Sequence, residues 1–401
     1  MSIAYNSNID KIYQYLLILL AFLLPLTVAG GNIIMGLIVI IWLLSGNYNK
    51  KFNQIKSNKL AVASLIFFAV HVLGLLWTNN VTWGLHILRK MQDFFIFLPI
   101  LLTITKKENI KHYISAFFLA ITITEVLSYL VWFEIIPAFK NATIENPTPF
   151  MSHISYNPIL AFAIYLLSHE VLFNKALHKI KIYGYSFFVI TMTFNMFITG
   201  GRAGQVMYFV MLGILIFQYF NMQKKKALIA VLILIPGIFF SAYQASGIFQ
   251  ERVDLAIKNT INYSDNKGSS VGLRINFALN SWEVIKDNPI IGVGTGDFPD
   301  EYRKVNMDKT PGLPNAKNPH NMYTLILVQL GLLGLVSMFY LFYVQIKIAL
   351  TSKSKFLRDL GLVLPVLFLV IMWSDSYLLG HFTAFLFVFF SSFLYQNFEK
   401  S

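Results

Sequence analysis

Apolar residues fall along this chain in runs of about 20, the length that crosses the hydrocarbon core of a bilayer. Twelve such runs are predicted as membrane helices: 12–28, 32–44, 60–77, 84–104, 113–133, 157–173, 183–198, 204–220, 226–242, 322–348, 357–373 and 378–397. The run at 32–44 is short, and the run at 84–104 carries Arg89, Lys90 and Asp93 near its start. No repeat of one half of the chain in the other is visible, and no run shows a break at its middle.

The polar connections alternate in charge. Lys50, Lys51, Lys56 and Lys59 share one, Lys106, Lys107 and Lys111 another, Lys175, Lys179 and Lys181 a third. Lys224–Lys226 form a fourth, and Lys347, Lys353, Lys355 and Arg358 a fifth. The intervening connections, such as 29–31 and 78–83, carry almost no basic residue, so the positive-inside rule puts the lysine-bearing loops and both termini in the cytoplasm. One outward connection differs from the rest. The stretch 243–319, between the ninth and tenth runs, is too long for a mere connector and too mixed in polarity for another membrane pair. Within it Ile275, Ala278, Leu279, Trp282 and Ile285 recur at helical spacing, which predicts an amphipathic helix over 274–286 on the membrane or against the bundle. Asn288 and Pro289 end that helix. The glycine-rich turn Gly292-Val293-Gly294-Thr295-Gly296 lacks the preceding strand and following helix of a dinucleotide site, and that reading is rejected.

Composition sharpens the class. Of 401 residues 56% are hydrophobic and 13% charged, with a mean hydropathy of +0.61, far more apolar surface than a soluble core needs. The chain is expected to be one all-α polytopic membrane domain over 1–401, with the large outer loop at 243–319. No small-residue cleavage site follows the first run, so no cleaved signal is expected. The absence of cysteine excludes disulfides, thiolate metal sites and cysteine nucleophiles. A net charge of +13 suggests nucleic acid at first sight, but its distribution assigns it to topology and lipid headgroups, so no nucleic-acid partner is expected. There is no Asp-x-Asp, no His-Glu-x-x-His and no acidic cluster on the outer side, so neither a metal nor another cofactor is expected. Asp297, Asp300, Glu301 and Asp308 are expected to be solvated in the outer loop.

Three basic residues on the outer side carry the candidate chemistry. His320 lies in Asn318-Pro319-His320-Asn321, immediately before the run at 322–348. Asn321 is a favoured N-cap type and Pro319 biases its predecessor towards an extended backbone, so a helix begins just after the histidine. Its free N–H groups and positive end attract phosphate, and an imidazole beside an anion site is a candidate general base. Arg202 opens a helix after the tight turn Thr199-Gly200-Gly201, where a cation is poorly placed unless an anion joins it. The plainer alternative is an arginine snorkelling to the headgroups. Arg274 begins the amphipathic helix of the outer loop, where a charge on the polar side is also ordinary. Arg89 and Lys90 could extend a basic pocket or sit structurally at the interface, and His153 with Tyr156 could contact sugars. Asp375 and His381 fall near the last outer turn, where a helix-packing pair is the plain reading. His71 and Glu125 lie inside apolar runs, with no role assigned.

The sequence His320-Asn321, nine residues, then Gly331-Leu332-Leu333-Gly334 resembles the signature of the bacterial O-antigen ligase family. The turn at 200–204, and the stretch from Arg274 through Trp282 to Asn288-Pro289-Ile290-Ile291-Gly292-Val293-Gly294, are similar to that family and its polymerase relatives. The motifs fall within 199–334, and the alternation of spans extends the likeness along the chain. The resemblance implies a GT-C type glycosyltransferase of the bacterial inner membrane with its site facing the periplasm. It implies a glycan donor linked to undecaprenyl diphosphate, a lipid A-core sugar as acceptor, inversion, and neither nucleotide sugar nor metal. By that likeness Arg202 and Arg274 hold the diphosphate, Asn321 adjoins the substrate, and His320 deprotonates or orients the acceptor hydroxyl. The residue chemistry is compatible: guanidiniums neutralise a diphosphate in bidentate fashion, and a sugar hydroxyl needs a base near neutral pH. An O-antigen polymerase would use a second lipid-linked chain as acceptor, and a protein O-oligosaccharyltransferase a serine or threonine. A transporter of lipid-linked glycans is the reading from another class.

Overall fold

The computed structural model describes residues 2–221, 223–263 and 266–396, with side chains from residue 8 onward. Every regular element among them is helical. In chain order these are α1 (Ser2–Leu23), α2 (Val28–Leu44), α3 (Tyr48–Ser57), α4 (Lys59–Leu73), α5 (Val81–Lys90), α6 (Leu98–Ile104), α7 (Ile110–Trp132), α8 (His153–Phe173) and α9 (Lys179–Ile198). They continue with α10 (Arg202–Phe220), α11 (Lys224–Ala245), α12 (Gly247–Ile261), α13 (Ser270–Asp287), α14 (Phe298–Lys309), α15 (Met322–Thr351), α16 (Lys355–Ile371) and α17 (His381–Leu394).

Six of these stretches are long and apolar enough to cross a membrane: 59–77, 107–132, 153–173, 202–220, 224–245 and 322–351. A seventh is reached if α2 and α3, which meet at 120°, count as one bent span. The remaining expected spans are helical too, but shorter or more polar than that measure requires. The run at 84–104 is not one helix. α5 stops at Lys90, a π-helical turn covers Asp93–Phe97, and α6 follows. Position 397, the end of the last expected span, and the terminal residues 1 and 401 lie outside the described residues. Apolar side chains cover the exposed faces, as at Leu228, Ile229, Leu232 and Ile233 of α11, an arrangement suited to lipid and not to water.

Residue contacts group the chain into two compact units. The first comprises residues 1–16, 35–109 and 256–401. In it α15 packs against α4 and α16, α13 rests on α14 and α15, and α17 packs on α6. Phe387 gathers Phe94, Phe342 and Phe368 around it at ring separations of 4.9–5.8 Å. The second unit comprises residues 17–34 and 110–255. Its centre is α8, buried on every face from Tyr156 to Leu167, with α9 and α10 packed against it.

The amphipathic helix expected over 274–286 is α13, one turn longer at its start because Ser269 caps it through Gly272 N–H. Two expectations for the surrounding chain need correction. α15 is broken: Gly331 has φ +56 and ψ −151 inside it, about 15 Å along the helix at 1.5 Å per residue. The run that looked continuous therefore carries an interruption deep in the span. The glycine-rich stretch 289–294 fills it. Leu332 and Leu333 N–H donate to Pro289 and Ile290 carbonyls, while Val293 and Gly294 N–H donate to Val328 and Gln329 carbonyls, all at 2.9–3.1 Å. The orphaned groups of the broken helix are thus paired by a loop. A side chain at Gly331 would meet Ile290 backbone carbon at 2.4 Å, and one at Gly292 (φ +68) would meet Gln329 at the same distance. The second correction concerns Asp297, expected in solvent. It is buried and accepts the N–H groups of Asn79 and Asn80 at 2.8 and 2.7 Å, which docks the segment around it beside the start of α5.

Candidate functional site

In the first unit the structure brings His320 and Arg274 into one neighbourhood. α15 begins at Met322, and Asn321 caps it by accepting Thr324 N–H at 3.0 Å, as its sequence position predicts. His320 itself sits at φ +51, a left-handed conformation uncommon for a residue with a side chain. Three contacts fix the turn. His320 N–H donates to Asn318 Oδ1 at 2.9 Å, Ser376 Oγ donates to the same oxygen at 2.9 Å, and Asn321 Nδ2 donates to Trp373 carbonyl at 3.3 Å. The histidine turn is thereby clamped to the 372–376 turn between α16 and α17.

That clamp delivers a partner the sequence paired differently. Asp375, expected to pack with His381, places Oδ1 3.3 Å from His320 Nδ1, within ion-pair reach though outside hydrogen-bond geometry. The same carboxylate oxygen accepts Ser376 N–H at 2.7 Å. Phe277 of α13 lies along the imidazole, with ring centroids 6.0 Å apart and planes 27° from parallel. Nδ1 thus faces a carboxylate, and Nε2 points away from it. A ring held in this way has a fixed orientation and one nitrogen left for chemistry.

Arg274 lies one helical turn before Phe277 on α13, on the same side. It makes no hydrogen bond or ion pair among the described residues, and its charge is felt at Tyr377. Burial pushes the Tyr377 hydroxyl up to about 12 while Arg274 acts in the opposite direction. A half-buried guanidinium beside a histidine, without a carboxylate of its own, suits an anionic ligand. Arg89 and Lys90 close the last turn of α5, and their charges reach His86 and His381. Neither forms a hydrogen bond or ion pair among the described residues. His71 is buried on α4, with Nδ1 2.8 Å from Phe67 carbonyl.

Arg202 belongs to the second unit, where it opens α10 behind Gly201. The turn that presents it is built on α8. Asn157 accepts Thr199 Oγ1 at 2.8 Å and donates to Gly201 carbonyl at 3.3 Å, and Gln205 donates to Thr199 carbonyl at 2.9 Å. Gly204 is pressed so closely on Asn157 that an added side-chain carbon would lie 2.3 Å from Asn157 Cβ. The glycines of 200–204 therefore serve close helix packing as well as any ligand. His153 starts α8 within electrostatic reach of Arg202. Tyr156 is different: it is fully buried and its hydroxyl donates to Asn195 at 2.9 Å, so it is not a sugar contact. Glu125 is buried on α7 near Tyr129 and Tyr156. One cation near Arg202 was not singled out from the sequence. Arg252 of α12 also acts on His153, and it read as an ordinary charge on a mixed helix. Among the described residues no group of three or more histidine and carboxylate side chains stands ready for a metal ion.

A Haemophilus influenzae protein described as uncharacterised is 25% identical over 304 residues, covering 72% of this chain and 71% of its own length. The family model described as O-antigen ligase matches residues 187–339. The matched segment runs from within α9 past the break in α15 and contains Arg202, Arg252, Arg274, His320 and both glycines of the interlocked loop and helix. On that match residues 187–339 carry the segment that the O-antigen ligase family model describes.

Proposed function

We propose that this protein is an O-antigen ligase of the bacterial inner membrane. It moves a glycan from undecaprenyl diphosphate to a sugar of the lipid A core on the periplasmic side, without metal. The observation that carries this reading is the His320 site inside the family-matched segment: an imidazole oriented by Asp375 and Phe277, on the same side as Arg274.

The roles follow from the chemistry. His320 Nε2 takes the proton of the acceptor hydroxyl as its oxygen bonds to the anomeric carbon. The bond from that carbon to the diphosphate breaks, and the diphosphate leaves with the electron pair. Direct displacement inverts the anomeric centre. Arg274 neutralises the leaving charge, a task for which a permanent planar cation is better suited than lysine, and the family resemblance gives Arg202 the same role. Asp375 is a positioning residue that stabilises the imidazolium as it forms.

The broken α15 resembles the interrupted helices of transporters, yet its backbone groups are paired with the 289–294 loop and so are not open to coordinate a substrate. A polymerase shares the family segment and differs in acceptor. Deleting the gene and analysing the surface glycolipid separates these readings. A ligase deletion leaves full-length polymer stranded on its lipid carrier. Core bearing one repeat unit identifies a polymerase and overturns the proposal, and repeat units retained on the cytoplasmic face identify a flippase.

A further inference from the structure

The end of the first unit that holds His320 carries a second group of cations, apart from Arg274. On α5, Trp83, His86, Arg89 and Lys90 share one face at helical spacing. Gly84 and Ile87 fill the buried face, and Val81 and Leu85 stay exposed on the third. The His86 ring stacks on Trp83, with centroids 4.8 Å apart and planes 29° from parallel, and Lys317 Nζ stands 5.7 Å from the same indole. Lys317 precedes His320 by three residues, so this face opens beside the histidine turn. The far end of α5 meets α17. Phe97 packs on Phe385 at 5.8 Å and Phe94 on Phe387 at 5.7 Å, which brings the start of α17 beside the turn that follows Lys90. His381 opens α17 one turn before Phe385, within electrostatic reach of Lys90, Arg89 and His86.

Lys317, His86, Arg89, Lys90 and His381 thus line a strip that runs about 10 Å along α5, from Trp83 to Lys90 at 1.5 Å per residue. None of them forms an ion pair or hydrogen bond among the described residues, and all but Lys90 are exposed. The neighbouring carboxylates are engaged elsewhere. Asp297 accepts Asn79 and Asn80 N–H, Asp300 accepts Asn80 Nδ2 and pairs with Arg303, and Asp375 faces His320. Asp93 is buried in the π-helical turn, without an ion pair among the described residues. A cation or two in the last turn would satisfy the negative end of α5. The basic groups added from α17 and from the chain before His320 exceed that need. They also gather on the side where the positive-inside rule leaves basic residues scarce. Like charges held this close favour a polyanion that bridges them. Val81 and Leu85, exposed on the adjoining face, put that anion at a lipid surface.

We propose that this strip is an acceptor site, which binds phosphate groups carried on the saccharide lipid that receives the glycan, a point that rests on the functional reading above. Its length exceeds one phosphate, so it suits a multiply phosphorylated headgroup better than a single phosphodiester. Anchored there, the acceptor is held beside His320 by contacts that take no part in bond making. The strip therefore acts on acceptor KM and not on the transfer step.

The test uses purified full-length protein in phosphatidylcholine liposomes with a polyprenyl-diphosphate-linked glycan. Two acceptors are compared, a lipid A-core preparation and the same material after phosphatase treatment. Wild-type protein is expected to show a KM about tenfold or more lower for the phosphorylated acceptor, with kcat little changed. Arg89→Gln combined with Lys90→Gln should remove that difference while donor KM stays the same. Arg89→Lys should keep most of it, and Lys304→Ala on α14 should behave as wild type. The difference should persist when phosphatidylglycerol replaces part of the phosphatidylcholine, which separates acceptor phosphate from bulk headgroups. If wild-type protein makes no product with either acceptor, the functional reading and this inference both fall. If it transfers to both acceptors with the same KM, the inference alone is overturned, and that comparison needs no variant. Retention of the preference by the folded double variant, a raised donor KM, or an effect that follows phosphatidylglycerol content and not acceptor phosphate would overturn it as well.

Discussion

His320 and Asp375 are separated by more than fifty residues of sequence and meet only because the 372–376 turn is tied to the start of α15. This pairing sets an order among substitutions. His320→Ala should bind donor normally and lose turnover by roughly a hundredfold or more, the scale of lost acid–base help. Asp375→Asn keeps the shape but removes the charge, so it should lower turnover by about tenfold or more with the acceptor KM little changed. Arg274→Lys should retain part of the activity that Arg274→Ala loses, since charge survives and the bidentate fork does not. Single-turnover rates with donor binding measured in parallel check all three. An Asp375→Asn enzyme at full rate would remove the aspartate from the account. The histidine could be picked out from the sequence because Pro319 and Asn321 announce a helix start beside it. Asp375 could not, since a lone acid near a turn carries no sign of its distant partner. Arg252 was hidden for a related reason: its neighbour Gly200 is chosen by packing, which a linear pattern does not display.

At the scale of elements, the apolar runs located most of the helices, and the spacing of Ile275, Leu279 and Trp282 located α13. The break in α15 stayed invisible because Gly331 and Gly334 in an apolar run are compatible with a straight helix. Its meaning lies in the pairing with a second glycine-bearing stretch that folds back onto it. Gly331→Ala and Gly292→Ala should each destabilise the protein by about 2 kcal/mol, from left-handed strain and backbone clash together. Thermal unfolding in detergent would show this as a fall in midpoint, while Gly36→Ala, with open space around it, should show little change. Equal midpoints would mean the loop and the helix break are not interlocked. The bend between α2 and α3 was missed for a simpler reason. α3 is polar and lysine-bearing, and such a stretch reads as a loop from composition.

For the whole molecule the orientation in the membrane comes first, because every proposed role depends on His320 and Arg274 sharing the outer side. A reporter fused after Lys226 is expected to be cytoplasmic and one near Lys267 periplasmic, from the alternation of lysine-bearing connections. The reverse pattern would place the site where no lipid A-core acceptor is available. The central claim is glycan transfer from a lipid diphosphate with His320 as base, and reconstitution tests it most directly. Purified protein in liposomes would receive a polyprenyl-diphosphate-linked glycan and a lipid A-core acceptor, with chelator present and no nucleotide. The account predicts glycan-bearing acceptor from wild-type protein and at least a hundredfold less from His320→Ala. Glycan lengthened on its own carrier instead, transfer that requires a restored divalent ion, or full transfer by His320→Ala would contradict it.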